Sequence, residues 1–196
     1  MSLIKEKILL VSSSPRRKAI LSMVGARFRV IRVDVKEVVT PNPVETAVEN
    51  ATRKVLTAKS LMKDEEVALS ADTVVFIGSE VLGKPSTREE AVEHLKKLSG
   101  RWHTVVTGFA LLFSNGKLVS SYEESKVKFK RLSVNEIKAY VATGEPLDKA
   151  GAYGVQGAGA LLIEKIDGDF FNVMGLPIGR IYDILTIESS GWKVNP

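Results

Sequence analysis

The chain has no cysteine, which excludes disulfides, thiolate nucleophiles, iron–sulfur clusters and cysteine-held zinc together and suits a reducing compartment. Histidine occurs only at His94 and His103, too few for a metal site built from imidazoles. Long apolar runs are missing as well. The longest stretch without Asp, Glu, Lys or Arg, Trp102 to Gly116, falls short of the ~20 apolar residues a spanning helix needs. Ile8 to Val11, behind Lys5 and Lys7, is too short for a signal-peptide core. No membrane partner is expected, and the expected location is cytoplasmic. Proline (7) and glycine (15) stand at ordinary usage, so neither a collagen-like nor a disordered chain fits.

What is present suffices for a packed core. A chain of 196 residues, 44% of them hydrophobic, reads as one domain over residues 1–196, and a domain of that size buries roughly 70% of its unfolded surface. The formal net charge of +5 and the isoelectric point near 9.3 point to an anionic partner: nucleic acid, an acidic surface or a phosphorylated small molecule.

Hydrophobic periodicity gives an α/β pattern around a mixed sheet. Ile8 to Val11 reads as a buried strand, followed by a helix with Ser14 at its N-cap, Pro15 at its first position and Gly25 at its end. Phe28 to Val33 alternates like a strand, and a proline-flanked loop follows at Thr40 to Pro43. Val44, Ala47, Val48, Ala51, Val55, Ala58 and Met62 then share one helix face. Val67 to Ile77 suits a central strand. Ser86 with Glu89 spells a capping box for a helix ending at Gly100, and Ser133 with Glu136 spells another for a helix ending at Gly144. Strands at residues 102–113 and 118–131 flank the hairpin signal Asn115-Gly116. An irregular, glycine-rich stretch covers Gly144 to Ala160. A strand over Leu161 to Ile166, a turn at Asp167-Gly168 and a helix from about Ile178 complete the pattern.

Chemistry concentrates at a few places. The strand-to-helix junction Ser12-Ser13-Ser14-Pro15-Arg16-Arg17 offers unpaired helix N–H groups, hydroxyls and two guanidiniums, a set that suits phosphate. Two arginines in a first helical turn oppose the helix dipole, a cost that an anion would relieve. Asp72 interrupts an otherwise apolar strand, where a bare carboxylate costs several kcal/mol, so it fits a metal ligand or a base that activates water. Gly78 to Pro85 nearly spells a P-loop, but Pro85 replaces the hydroxyl that holds magnesium, and the stretch reads as a tight hairpin that presents Lys84. Lys54 borders the helix stripe among Ala47, Ala51 and Ala58, where an ammonium either reaches inward or runs out to water. Glu37, alone in a polar loop, is the weakest of these signals. In the glycine-rich stretch, Gln156 offers a donor and an acceptor to a base edge.

Together these segments resemble the Maf family of nucleoside triphosphate pyrophosphatases over nearly the whole chain. The resemblance rests on S-S-S-P-R-R at Ser12–Arg17, A-D-T-V-V at Ala71–Val75, G-K-P at Gly83–Pro85, G-E-P-L-D-K-A-G-A-Y-G-V-Q-G at Gly144–Gly157 and N-V-M-G-L-P at Asn172–Pro177. It implies a single α/β domain with a long mixed sheet and two lobes around a cleft, similar to inosine triphosphate pyrophosphatases. Family members are often dimeric, so a homodimer is among the expected assemblies. The implied reaction splits a nucleoside triphosphate between its α and β phosphates with a divalent cation, magnesium or manganese. Asp72 would be the proton acceptor and, with Glu37, a metal ligand. Ser12, Ser14, Arg17, Lys54 and Lys84 would hold the phosphates. Where the family often has an acidic pair, this chain has Lys36-Glu37. At the three positions that separate the family's subgroups it carries Arg16, Thr73 and Gln156, as the members preferring dTTP and UTP do, whereas the relatives that prefer 7-methyl-GTP carry Trp, Gln and Glu there.

Three other readings compete. The stripe Lys126, Lys128, Lys130, Arg131 fits a nucleic-acid binder, although lysines at strand period more often mark a solvated sheet face, and no helix-turn-helix or RNA-recognition motif accompanies it. No stable nucleic-acid partner is therefore expected. A serine hydrolase lacks its G-x-S-x-G elbow. A non-catalytic regulator of cell division is the third.

Overall fold

A computed structural model describes residues 3–190. Seven strands form one mixed sheet: β1 (Lys7–Val11), β2 (Arg27–Ile31), β3 (Glu66–Ile77), β4 (Glu80–Leu82), β5 (Trp102–Leu112), β6 (Leu118–Phe129) and β7 (Ile163–Asp167). Their order is β2-β1-β3-β5-β6-β7, with β4 paired to β3 outside that path. β1 runs parallel to both β2 and β3, while the β3–β5, β5–β6 and β6–β7 pairs are antiparallel. The helices are α1 (Pro15–Met23), α2 (Pro43–Thr57), α3 (Arg88–Leu98), α4 (Val134–Ala142), α5 (Phe170–Met174) and α6 (Ile178–Ser190).

The unbroken apolar run at Ile8–Val11 follows from burial on both faces of the sheet. Ile8 and Leu10 pack with Ile20 and Leu21 of α1 and with Ile181 and Leu185 of α6. Leu9 and Val11 pack instead with Ala51 and Val55 of α2. That second face is close-set: a Cβ built on Gly108 of β5 would stand 2.4 Å from Ala47 C and Val48 N of α2. Glycine is what lets the helix backbone lie against the strand.

On the α1 side the core splits along β3. Val67, Leu69 and Ala71 belong to the cluster with α1 and α6, whereas Val75 and Ile77 belong to one with Leu95 of α3 and Ile137 of α4. Thr73 lies between them. The same interval is a gap in the sheet. One edge of β3 pairs with β1 as far as Leu69 and with β4 from Val75, and no strand pairs with residues 70–74 on that edge among the described residues. A cleft opens there, beside the carboxyl end of β1, the usual place for a ligand in such sheets.

Most expected elements are present, with shifts that have local causes. The Asn115-Gly116 turn joins β5 to β6, with Asn115 Oδ1 accepting the Lys117 N–H at 2.9 Å. The Ser133–Glu136 capping box forms as read. The other box moves by one residue: Thr87, not Ser86, is the N-cap of α3 and accepts from the Glu90 N–H, while Glu90 Oε2 accepts from the Ser86 N–H. The sequence Ser86-Thr87-Arg88-Glu89-Glu90 spells the motif twice, and only packing chooses between the registers. The long second helix ends at Thr57, and a separate 3₁₀ turn, Lys59–Leu61, precedes Met62. The strand expected from Leu161 begins at Ile163, because Gly157–Leu162 coils into 3₁₀ turns. α5 is too short for a periodic signal; Asp169 caps it through the Phe171 N–H.

The lysine stripe is explained by strand alternation. Lys126 and Lys130 are exposed and Lys128 half-buried, while Val127 and Phe129 between them are fully buried. No helix of the described residues is long and apolar enough to cross a membrane.

Candidate active site

The cleft has a volume of about 580 Å³, within the range of small-molecule sites. Of the ten residues singled out from the sequence, nine line it: Ser12, Ser14, Arg16, Arg17, Glu37, Lys54, Asp72, Thr73 and Lys84. Gln156 does not. It is exposed at the start of the Gly157–Leu162 turns, directly after Gly154 and Val155, which do line the cleft.

One group of contacts centres on Lys54 of α2. Its ammonium donates to Glu37 Oε1 at 2.7 Å and to Asp72 Oδ1 at 2.8 Å. Two carboxylates from distant segments therefore converge on one point. Asp72 sits on the α2 side of β3, and its second oxygen accepts from Asn50 Nδ2 at 3.3 Å. Asn50 is buried, one helical turn before Lys54, and is tied to the loop before α2 through both the N–H and the carbonyl of Val38. That contact anchors the loop carrying Glu37. The Lys54 hydrogen bond holds the Glu37 carboxyl below the usual carboxylate range against its partial burial, and the charges of Lys84 and Arg17 add to the effect.

A second group centres on Arg17 in the first turn of α1. Its Nε donates to the Gly175 carbonyl at 2.8 Å, and its terminal nitrogens donate to Ser12 Oγ and Thr73 Oγ1, both at 3.3 Å. All three partners are uncharged. Burial lowers the Arg17 pKa to about 10; Asp72 and Glu37 oppose the fall and Arg16 adds to it. Ser14 holds the N-cap position but makes no side-chain cap; its own N–H donates to Ser12 Oγ at 3.1 Å. The α1 terminus, with no acidic residue in its first turn, remains a place for an anion.

Thr73 supports Arg17. Thr107 Oγ1 donates its proton to the Asn172 carbonyl at 2.9 Å, so in the 3.0 Å contact between the two threonines Thr73 is the donor. Its oxygen accepts from Arg17. Asn172 is fully buried: its Oδ1 accepts the Thr107 N–H, and its Nδ2 donates to the Val105 carbonyl and to Ser125 Oγ. This network fixes α5 and the Gly175 carbonyl that receives Arg17.

The opposite wall comes from the glycine-rich stretch. Asp148 lies 3.9 Å from Arg16, and Lys149 bonds Asp148 at 2.6 Å. Tyr153, nearly buried, meets His103 Nε2 through its hydroxyl at 2.8 Å. Burial lowers His103 to about 4, so it is neutral at ordinary pH, and neither His103 nor His94 lines the cleft. Asn50, Thr107, Asn172 and Asp34, a further carboxylate of the cleft, were not foreseen. For Asn50 a signal existed: it stands four residues before Lys54 on the same helix face.

Known proteins resemble this chain in sequence and in fold. Residues 7–187 match the family model described as "Maf-like protein". A dTTP/UTP pyrophosphatase of Aquifex aeolicus is 49% identical over 180 residues, covering 91% of this chain and 94% of that protein. A dTTP/UTP pyrophosphatase of Thermotoga maritima is 44% identical over 191 residues, covering 96% and 92%. Among solved structures, the Ham1 protein of Staphylococcus aureus superposes with a TM-score of 0.51 at 16% identity, covering 93% of this chain and all of that one, a likeness of fold.

Proposed function

The chain belongs to the Maf family, and from that premise we propose that it hydrolyses dTTP and UTP to the nucleoside monophosphate and pyrophosphate. The observation that carries the reading is the convergence of Asp72, Glu37 and Lys54 beside the guanidinium of Arg17, whose hydrogen-bond partners are all uncharged. Asp72 accepts a proton from water as the water oxygen bonds to the α-phosphorus. The bond from that phosphorus to the bridging oxygen breaks, and pyrophosphate leaves. Arg17, Lys54, Lys84 and the hydroxyls of Ser12 and Ser14 surround the phosphates, and charge-assisted hydrogen bonds of this kind stabilise the charge that develops.

A divalent cation, magnesium or manganese, fits the donor chemistry. Glu37 and Asp72 are hard oxygen donors that converge on the Lys54 ammonium, and no cluster of three potential ligands stands among the described residues. Two carboxylates completed by substrate phosphates and water match the habit of magnesium. When bound, the ion neutralises phosphate charge. Asp72 and Glu37 would hold it. The cysteine-free composition supports a cytoplasmic enzyme.

A panel of nucleoside triphosphates with magnesium or manganese, its products separated by chromatography, tests the reading. Pyrophosphate and a monophosphate are expected, with turnover abolished by excess chelator. Orthophosphate with a diphosphate product, or full activity in chelator, would overturn it.

Base selection is assigned to Arg16, Thr73 and Gln156. Thr73 acts in part by holding Arg17, and Gln156 acts from the loop that follows the cleft wall. Replacing Arg16→Trp, Thr73→Gln and Gln156→Glu together should shift the kcat/KM ratio of dTTP to 7-methyl-GTP by at least ~10-fold toward the purine, since each unpaired polar group costs ~1–3 kcal/mol. An unchanged ratio would remove these residues from the assignment.

A further inference from the structure

Glu145 does not line the cleft, yet the glycine-rich stretch folds around its carboxylate. Oε2 accepts from the Ala158 N–H at 3.0 Å, and Oε1 accepts from the Gly159 N–H at 3.2 Å and from the Tyr140 hydroxyl at 2.9 Å. The same hydroxyl accepts the Gly154 N–H at 3.1 Å. Burial pushes the Tyr140 phenol well up, so it keeps its proton and its role as donor. Lys149 bonds the main-chain carbonyl of Glu145 and the carboxylate of Asp148, not the Glu145 carboxylate.

The chain is shaped to this pair. A Cβ on Gly157 would stand 2.7 Å from Glu145 Oε2, and one on Gly159 would stand 2.3 Å from the Gly154 carbonyl and 2.7 Å from the Tyr140 hydroxyl. The pair therefore grips the backbone at Gly154 on one side of Gln156 and at Ala158 and Gly159 on the other. Between the grips run Val155, Gln156 and Gly157. The part of this stretch that faces the cleft, Tyr153 to Val155, offers an aromatic ring, a bare backbone and an apolar side chain. That surface suits a nucleoside, not a phosphate chain.

Resting on the nucleotide reading above, we infer that Glu145 and Tyr140 are positioning residues that hold Tyr153–Val155 as the nucleoside-facing wall without touching the nucleotide. Their effect falls on affinity for the nucleoside end and spares the chemistry at Asp72.

The test is Tyr140→Phe in the full chain, which keeps the ring in the core and removes the hydroxyl. KM for dTTP should rise about tenfold, the scale of one buried hydrogen bond, with kcat within about twofold of the parent. Competitive inhibition by dTMP should weaken by the same factor, while inhibition by inorganic pyrophosphate stays constant. Glu145→Gln should act in the same direction, and it serves alone if Tyr140→Phe does not fold. A lower melting temperature with unchanged KM would make the pair purely structural and overturn the inference. Equal weakening of dTMP and pyrophosphate would also overturn it, because the whole cleft would then have moved. If the unmodified chain does not turn over dTTP, the nucleotide reading fails and this inference with it; turnover by the parent with unchanged KM in the variants overturns the inference alone.

Discussion

Asp72→Asn should lower the rate of pyrophosphate release ~100–10,000-fold while leaving the fold intact, the usual range for loss of a general base. The amide is nearly the same size, and its remaining oxygen can still accept from Lys54 or Asn50, which reach the two carboxylate oxygens from α2. Lys54 also keeps Glu37 at 2.7 Å, so the ammonium is not left bare. The expected result is a folded protein with an unchanged melting temperature and almost no turnover. Activity within a few-fold of the parent would refute the role of Asp72. A chain that fails to fold would show that the carboxylate serves the structure first.

Gly108→Ala acts from the other direction. Its new methyl would meet the main chain of α2 at 2.4 Å, and a backbone cannot rotate aside as a side chain can. The helix has to lift. Overpacking of this kind costs ~1–3 kcal/mol or more, which in a domain of this size lowers the melting temperature by roughly 2–12 °C. α2 also carries Asn50 and Lys54, and a displacement of ~1 Å in a catalytic group can cost ~100-fold in rate. The combined signature, a lower transition temperature and a large drop in turnover, is expected by calorimetry and by pyrophosphate release. Gly179→Ala is the control: it stands in α6 with nothing within 4 Å of the new carbon, so both readouts should stay near the parent's. An unshifted transition in Gly108→Ala would mean that α2 does not rest on β5 as described.

Local chemistry made much of this visible in the sequence. The buried strand at Ile8–Val11, the α2 stripe, the Asn115-Gly116 turn and the Ser133–Glu136 cap each need only neighbours within a few residues. Asp72 was legible for the same reason, since a carboxylate inside an apolar strand must be compensated. What compensates it was less so. Lys54 and Asn50 come from a helix about twenty residues earlier, and Lys54 could as well have pointed to water. The partners of Arg17 and Thr107 were invisible, because Gly175 and Asn172 meet them across 158 and 65 residues. No periodicity records such a closure. The glycine-rich stretch was recognisable as a long irregular loop but not as one wound on Glu145, since a single acidic residue beside a proline has no distinguishing pattern. Gln156 shows the reverse case: its identity matched a subgroup, while its position outside the cleft lining depends on packing that the motif does not encode.

The bond from Arg17 to the Gly175 carbonyl sets a schedule for the protein's biogenesis. At about 5–20 residues per second, synthesis of the 158 residues between the two partners takes roughly 8–30 s. During that time α1 and β1 have left the ribosome, but the guanidinium lacks the carbonyl that orients it. Asn172, which seats that carbonyl, arrives equally late. The Arg17 end of the cleft therefore takes its shape only after Asn172 and Gly175 have been made, long after the helix that carries the guanidinium.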